Sequence, residues 1–266
     1  MLQDQFTLNQ NSFIMSKEKI IYKHTEDAHH NDNSPSEIIP ILIKNFNPKS
    51  VIDIGCGVGN FLREFKKNGI NDILGIDGDW TDLDEIEKNI GKENFLNYNL
   101  NHIYFPTKKF DLAISLEVAE HIDGKYSDNF IETLSNCSDN IVFSAAIPLQ
   151  GGQNHINEQW NEYWIEKFNK KEYVMVDFLK SYLWENSNVF WWYKQNILFF
   201  TKTPELYINK NINQLKNLIH KDLFELKTKE LEVLRKKNIE YNKIINGKYS
   251  WKFYLKNLIT SLNEKK

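Results

Sequence analysis

The chain has 266 residues, of which 41% are hydrophobic and 14% aromatic, enough to form one substantial core and to exclude disorder throughout. Its 33 basic and 36 acidic side chains nearly cancel, and the formal net charge of -3 gives no whole-chain reason to expect nucleic-acid binding. The only cysteines, Cys56 and Cys137, are too few for a disulfide framework and lack the paired spacing of a zinc site, which favours a reducing compartment.

No apolar run approaches the roughly 18 residues that a membrane-spanning helix needs, and the polar N-terminal stretch contains no signal-like apolar segment. We therefore expect a cytoplasmic protein. Met15 is a second candidate for the initiating methionine, in which case the residues before it form a dispensable leader.

Composition divides the chain into three zones. Residues 1–46 are polar until an apolar run over 37–46, which predicts an N-terminal cap with one helix packed on the second zone. Residues 47–203 alternate short apolar runs with amphipathic segments, the pattern of a doubly wound α/β sheet. We predict strands at 50–54, 72–77, 94–98, 110–116, 140–146, 173–177 and 195–201, and helices near 59–68, 82–90, 127–137 and 159–169.

The third zone, residues 204–266, is predicted to be a basic helical extension, because residues 208–266 hold 14 Lys and Arg against 6 Asp and Glu. Apolar residues spaced seven apart, with others in the same stripe, predict a long helix with an apolar seam: Ile212, Ile219, Leu226 and Val233, then Leu215, Leu223 and Leu234. Asn246 and Gly247 end it. Such a helix suits either a homodimer or peripheral contact with anionic lipid at the inner membrane face.

A strand that runs into alternating glycines is the most informative motif. Gly55, Gly57 and Gly59 directly follow the first predicted strand and precede an amphipathic helix. Glycines let the backbone turn sharply and approach a ligand at the crevice beyond the strand ends. A dinucleotide fingerprint requires glycine at position 60, which is Asn60, so the pattern argues against a nicotinamide cofactor. An ordinary strand-helix turn is the alternative interpretation.

The G-x-G-x-G form, with Asp53 two residues before its first glycine, resembles motif I of class I S-adenosylmethionine-dependent methyltransferases over residues 46–202. The resemblance implies that Asp53 helps to hold the methionine ammonium and that the glycines pass beneath the cofactor. Asp77 closes the next strand, where a carboxylate can accept both ribose hydroxyls. This sequence has Asn99 and Leu100 where the family usually has an acidic residue beside the adenine, so these two are the candidate adenine contacts.

The fourth predicted strand leads into Glu117-Val118-Ala119-Glu120-His121, where the family has active-site residues. On one helical turn Glu117, Glu120 and His121 would share a face, and two carboxylates with an imidazole suit Mg²⁺ or Mn²⁺. The spacing resembles that of metal-dependent O-methyltransferases acting on the 2′-hydroxyl at RNA ends or on quinone precursors.

In the RNA-end enzymes a further histidine completes the metal site, and His155 stands in that position. Glu117 is also a candidate cofactor contact. Glu117, His121 and His155 are candidate catalytic residues, because a hydroxyl needs a base or a cation to lose its proton. The alternatives are a metal-free base and a purely structural Glu120-His121 pair.

Aromatic residues mixed with amides precede the last strand, a composition typical of a sugar-binding cleft or, alternatively, of core packing. The candidate substrate contacts are Trp184, Trp192, Tyr193, Gln195 and Asn196. The basic tail with Ser250, Trp251 and Lys252 is similar to the ends of transferases in bacterial surface-polysaccharide pathways.

Together, these resemblances predict a Rossmann-like seven-stranded methyltransferase sheet with a C-terminal helical extension. The expected activity is S-adenosylmethionine-dependent O-methyl transfer to a sugar hydroxyl of a small-molecule, nucleotide-linked or glycan acceptor in capsule or lipopolysaccharide synthesis. The alternatives are a metal-dependent methyltransferase of RNA ends or a quinone precursor, a methyltransferase of a capsular phosphoramidate, and a non-catalytic scaffold. The acidic catalytic zone argues against nucleic acid as a partner.

Overall fold

The computed structural model describes residues 33–207, 218–247, 251–253 and 255–256. Seven strands form one sheet in the order β3-β2-β1-β4-β5-β7-β6. The strands are β1 (Ser50–Ile54), β2 (Asp72–Asp77), β3 (Phe95–Asn97), β4 (Leu112–Leu116), β5 (Asn140–Ser144), β6 (Val174–Met175) and β7 (Leu198–Thr201). Strands β1 to β5 are parallel, and β7 is antiparallel to β5 and β6. The predicted Rossmann-like, doubly wound fold is confirmed.

All but the last of the described helices pack against the sheet, and that last helix is largely exposed. The helices are α1 (Asn33–Phe46), α2 (Asn60–Lys67), α3 (Leu83–Asn89), α4 (Ser127–Cys137), α5 (Asn161–Asn169), α6 (Leu179–Leu183), α7 (Trp191–Asn196) and α8 (Lys221–Ile245). None of these described helices is long and apolar enough to cross a membrane.

Side chains that alternate along each strand fill two apolar layers. Phe199 lies in the layer beneath α1, α2, α3 and α6, where its ring is 4.5 Å from that of Phe46. Phe200 lies in the opposite layer beneath α4 and α5, stacked on Phe168 at 4.0 Å. Because α1 buries Ile38 and Leu42 in the first of these layers, this helix is part of the α/β core.

Two predictions about secondary structure need correction. The strand predicted at 195–201 begins only at Leu198, because Gln195 and Asn196 end α7. Helices α6 and α7 have five and six residues, too few for a 3.6-residue period to emerge, and the aromatic residues around them favour strand by composition.

The predicted long C-terminal helix is present as α8, but its start is later than the seam suggests. Ile212 and Leu215 lie outside the described residues, and Ile219 precedes the helix. His220 is the N-cap, and its Nδ1 accepts a hydrogen bond from the Asp222 N–H at 3.3 Å. The helix ends at the predicted Asn246.

The topology brings the ends of several strands to one edge. Since the strand order reverses between β1 and β4, their carboxyl ends open a crevice at a topological switch point. Strand β7 runs antiparallel to β5, with Leu198 opposite Phe143, so the end of α7 also reaches this edge.

The turn after β1 requires glycine at position 55. Gly55 has φ +85°, and a Cβ there would lie 2.5 Å from both methyl carbons of Val118. Gly69, at φ +88°, offers a matched comparison because a Cβ there would meet nothing within 4 Å.

We expect Gly55→Ala to lower the free energy of unfolding more than Gly69→Ala does. Both variants incur the left-handed backbone cost of about 1–2 kcal/mol, and Gly55→Ala adds overpacking of about 1–3 kcal/mol. Urea unfolding of the two variants measures the difference. Equal losses of stability would show that the Val118 side chain moves aside with no cost in free energy.

Candidate active site

The carboxylate that ends β2 holds the glycine turn that follows β1. Asp77 Oδ2 accepts the Gly57 N–H at 2.7 Å, and Asp77 Oδ1 accepts the Gly78 N–H at 2.6 Å. The side chain is buried, and this burial raises the pKa of Asp77, an effect that its hydrogen bonds partly oppose. Asp77 therefore shapes the turn itself, and its predicted contact with a ribose would use the remaining lone pairs.

A second carboxylate lies inside the sheet beside the first. Asp53 belongs to β1, where it is 3% exposed and pairs in register with Gly75. Burial and then the charge of Asp77 raise the pKa of Asp53 well above its usual value. Two buried carboxylates favour a positively charged ligand, because its charge would offset the cost of their desolvation and the repulsion between them.

The candidate adenine contacts lie beyond β3. Asn99 is exposed, and its Oδ1 accepts the Asn101 N–H at 3.0 Å in a tight turn. The Leu100 side chain is buried in the layer that contains Ile54 and Ile76. The turn stands next to the end of β2 across the sheet edge, and the adenine contact of both residues stays a prediction.

Glu117 directly follows β4 in an unusual backbone conformation. Its φ is +57°, and its N–H donates to the carbonyl and the hydroxyl oxygen of Ser144, both at 3.0 Å. Its carboxylate accepts Gln150 Nε2 at 3.0 Å and Asn196 Nδ2 at 3.1 Å. Strained residues of this kind cluster at functional sites, and here the neighbours determine the direction of the side chain.

Buried amides extend this arrangement from the sheet to α8. Gln150 Oε1 accepts Asn196 Nδ2 at 2.9 Å and Gln195 Nε2 at 3.3 Å. Gln195 Oε1 accepts the His220 N–H at 2.8 Å, directly before α8 begins. We call Glu117, Gln150, Gln195 and Asn196 the amide network. Gln195 and Asn196 are fully buried in it, so the structure gives them partners within the protein rather than an open position towards a sugar.

The structure brings three of the four predicted metal ligands together, by a different backbone geometry from the one predicted. The reasoning from one helical face is wrong for Glu117, because this residue is left-handed and only Ala119–His121 forms a short 3-10 turn. One ligand atom from each of Glu120, His121 and His155 lies within 4.8 Å of the others. Glu117 is outside this cluster in the amide network, and its role as a ligand stays a prediction.

Each histidine of the cluster is oriented through its Nδ1. His155 Nδ1 lies 2.9 Å from Glu158 Oε1, and His121 Nδ1 lies 3.3 Å from the Asn154 carbonyl oxygen. The other ring nitrogen of His155, Nε2, is 4.0 Å from Glu120 Oε1. Outer partners of this kind accompany histidines that bind metals or take protons.

The loop after β5 supports His155. Glu158 accepts the N–H of Leu149 at 2.8 Å and of Gly151 at 2.7 Å. A Cβ at Gly152 would lie 2.2 Å from His155 Nε2, so the imidazole rests directly on the glycine backbone. Sequence reasoning missed Gln150 and Glu158, although a carboxylate three residues after the histidine was a usable signal.

Burial favours the uncharged forms of Glu120 and His121. Both Glu120 oxygens are buried without a hydrogen bond of good geometry, and burial followed by the charge of Glu117 raises the pKa of Glu120 well above its usual value. Burial and the neighbouring His155 lower the pKa of His121 to about 4. An orphaned buried carboxylate beside neutral imidazoles fits a divalent cation, and one oxygen with two nitrogens suits Mn²⁺ at least as well as Mg²⁺.

The predicted substrate aromatics do not share one surface. The ring of Tyr193 contacts that of Phe61 in α2, with 5.6 Å between the ring centroids. Burial and then the charge of Glu117 raise the pKa of the Tyr193 phenol. Trp192 stacks on Phe190 at 4.3 Å. Trp184 packs on His220 at 4.8 Å, on the side of α7 where α8 begins.

Residues 28–186, more than half of the chain, match a family of methyltransferase domains. The chain belongs to this family. No curated protein matches the sequence.

Several solved structures resemble this methyltransferase at low identity. The methyltransferase domain of bacterial CtHen1 is 17% identical, with a TM-score of 0.46 over 64% of this chain and 98% of that one. Magnesium protoporphyrin IX methyltransferase from Synechocystis PCC 6803, with bound SAH, is 16% identical, with a TM-score of 0.46 over 64% and 82%. DesVI from Streptomyces venezuelae is 10% identical, with a TM-score of 0.48 over 64% and 91%. These values assign no substrate to this chain.

We expect Glu120→Gln to gain stability relative to the parent protein as the pH rises in the presence of EDTA. A raised folded-state pKa means that the parent loses stability as the pH rises from the ordinary glutamate range through that pKa, by up to about 1.4 kcal/mol per pH unit. Glutamine does not titrate. Urea unfolding at pH 5 to 8 measures the difference, with exposed Glu162→Gln as the control.

The same variants test whether a divalent cation binds at the cluster of Glu120, His121 and His155. Added Mn²⁺ is expected to raise the melting temperature of the parent and of Glu162→Gln, because a ligand that binds only the folded state stabilises it. Glu120→Gln is expected to lose this response. Equal stabilisation of all three proteins would show that Mn²⁺ binds somewhere else.

Proposed function

We propose that this chain transfers a methyl group from S-adenosylmethionine to a hydroxyl oxygen of a sugar-containing acceptor, in bacterial capsule or surface-polysaccharide synthesis. One observation carries the proposal: two kinds of groups adjoin at one edge of the sheet. Buried carboxylates and a glycine turn end β1 and β2, and a pair of imidazoles follows β4 and β5. Neighbouring strands are about 5 Å apart, so a ligand held at the first pair of strands can reach the second.

Asp53 and Asp77 supply the negative charge that S-adenosylmethionine requires. When bound, the cofactor supplies an electrophilic methyl group on a positively charged sulfur. Its sulfonium and ammonium charges would compensate the two buried carboxylates, which no positively charged side chain neutralises within the described residues. The left-handed glycines Gly55, Gly57 and Gly59 leave room for close approach to the backbone.

His155 is the group best placed to take the acceptor proton. Its Nδ1 faces Glu158 at 2.9 Å, so the carboxylate holds one tautomer and stabilises the imidazolium that forms. General-base catalysis of this kind contributes about 10²–10⁴-fold in rate. His121, whose pKa is about 4, stays neutral at physiological pH and adds no opposing charge.

A divalent cation is the second candidate for activation of the hydroxyl, and the orphaned carboxylate of Glu120 favours it. Glu120, His121 and His155 would hold the ion, with Glu158 and the Asn154 carbonyl as outer partners. The ion would supply Lewis-acid stabilisation of the alkoxide.

A cleft beside α7, on the side of this helix away from Glu117, has the residue composition of a sugar-binding surface. It has a volume of about 680 Å³ and lies between the α6–α7 segment and the start of α8. Trp184, Phe190 and Trp191 line it together with polar Ser187, the combination of flat apolar faces and hydrogen-bonding groups that sugar rings use.

We expect Asp77→Ala to weaken binding of S-adenosylhomocysteine by about 1.5–3 kcal/mol, the value of a hydrogen bond to a charged group. Asp72→Ala is the matched control, because Asp72 is at the opposite end of the same strand, in an exposed ion pair with Lys108. Calorimetry measures both affinities. Unchanged affinity in Asp77→Ala would remove this residue from the cofactor site, and a parent that binds no S-adenosylhomocysteine would leave a non-catalytic scaffold.

We expect His155→Ala to abolish methyl transfer from labelled S-adenosylmethionine to nucleotide-linked sugars, whereas exposed His102→Ala keeps it. EDTA then separates the two mechanisms. Full activity after EDTA treatment supports the metal-free base, whereas loss of activity with recovery in Mn²⁺ supports the cation. If RNA ends or quinone precursors are methylated and no sugar is, the proposed acceptor class is wrong.

A further inference from the structure

Tyr193 lies on the face of α7 that is directed at Glu117. Asn196, three residues later in this helix, donates to the Glu117 carboxylate at 3.1 Å, and helical residues three apart share a face. Burial raises the pKa of the Tyr193 phenol, and so do the charges of nearby carboxylates, those of Glu117, Asp53 and Glu120. The phenol is therefore close to the carboxyl ends of both β1 and β4.

The ring of Tyr193 also contacts the helix that follows the glycine turn. It meets the ring of Phe61 edge to face, with 5.6 Å between the centroids and 77° between the planes. Phe61 is the second residue of α2 and comes two residues after Gly59. Tyr193 thus connects the turn that is expected to hold the cofactor with the carboxylate that follows β4.

The side chains around Tyr193 border an open crevice. Tyr193, Phe61 and Glu117 are each partly exposed, and so is Gly57 in the glycine turn, whereas the last residues of β1 and β4 are buried. A ligand therefore reaches these groups at the edge formed by the strand ends. The expected cofactor groups are at β1 and β2 and the two histidines follow β4 and β5, so a methyl group has to cross this crevice during transfer.

The groups around the phenol favour a positively charged ligand atom. The charges that act on Tyr193 are all carboxylates, and they would repel an anionic ligand group at this place. The phenol itself is neutral at physiological pH. The indole N–H of Trp192 donates to the phenol oxygen, and this oxygen has a second lone pair for another contact.

We propose that the Tyr193 phenol oxygen contacts the positively charged sulfur centre of S-adenosylmethionine and positions its methyl group for transfer. The oxygen accepts the polarised C–H groups beside the sulfur, a contact weaker than an N–H···O hydrogen bond. This inference rests on the proposed function, because it assigns Tyr193 to the cofactor of that same site. Tyr193 then belongs to the boundary between cofactor and acceptor rather than to a surface on which a sugar stacks.

The test is the selectivity of the full chain between S-adenosylmethionine and S-adenosylhomocysteine, which lacks the methyl group and the positive charge. Calorimetry measures both affinities without an acceptor. Tyr193→Phe removes one oxygen and keeps the ring beside Phe61. We expect its affinity for S-adenosylmethionine to fall about threefold to tenfold, whereas its affinity for S-adenosylhomocysteine changes by less than about twofold. Tyr182→Phe, at an exposed tyrosine of α6, is the matched control and is expected to bind both ligands as the parent does.

A second measurement uses the unchanged protein. The methyl proton resonance of S-adenosylmethionine labelled with ¹³C in its methyl group is expected to move downfield when the ligand binds the parent, because a C–H group that faces an oxygen is deshielded. The shift is expected to be the same in Tyr182→Phe and smaller in Tyr193→Phe. A resonance that does not move downfield in the parent would overturn the proposal even if Tyr193→Phe did not fold.

The two affinities give clear contrary outcomes. Equal losses for both ligands in Tyr193→Phe would place the phenol at a group that they share, the methionine ammonium, and would overturn the contact with the sulfur centre. Unchanged affinities for both would remove the phenol from the cofactor site. A parent protein that binds neither ligand would instead overturn the proposed function.

Discussion

The position of the Glu117 carboxylate depends on hydrogen bonds from three directions, and much of the site depends on that carboxylate. Its backbone is tied to Ser144 of β5, and its side chain accepts Gln150 and Asn196. Through Gln195, the same amides reach the backbone of His220. One acidic side chain therefore links the centre of the sheet to the loop after β5, to α7 and to the start of α8. Buried polar networks of this kind are rigid only when every member is satisfied.

Buried carboxylates are clustered at this edge of the sheet, and their desolvation lowers the stability of the fold. Burial raises the pKa values of Asp53, Asp77, Glu117 and Glu120, and the charges of Asp77 and Glu117 further raise those of Asp53 and Glu120, respectively. A fold under no functional constraint would replace such groups with apolar side chains. Perturbed carboxylates that adjoin in one crevice are typical of sites that bind cations or move protons. The chain thus places carboxylates of raised pKa where its chemistry is expected.

The sequence was sufficient for the sheet and the glycine turn, because both depend on local patterns. Apolar runs bounded by polar residues predicted every strand, and Gly55 adopts the left-handed conformation that a turn beside Val118 requires. The pairing of Glu120 with His155 was also anticipated, although from a resemblance rather than from spacing. Glu117 was misjudged because a positive φ at a glutamate leaves no trace in composition.

The partners of Gln195 and Asn196 could not be predicted either. Both are amides among aromatic residues, and sequence alone does not distinguish an amide that faces a ligand from one that faces Gln150 or a helix start 25 residues later. Long-range contacts of this sort follow from tertiary structure and not from periodicity.

The contact between Gly152 and His155 bears on how this protein's function could be traced through evolution. Any side chain at position 152 would meet the ring nitrogen that faces Glu120, so the two positions are coupled in what they tolerate. A lineage that keeps His155 but acquires alanine at 152 would have to displace the imidazole. Glycine three residues before this histidine is therefore a more discriminating marker of the same chemistry than the glycine turn after β1, which any domain of this fold needs for its backbone alone.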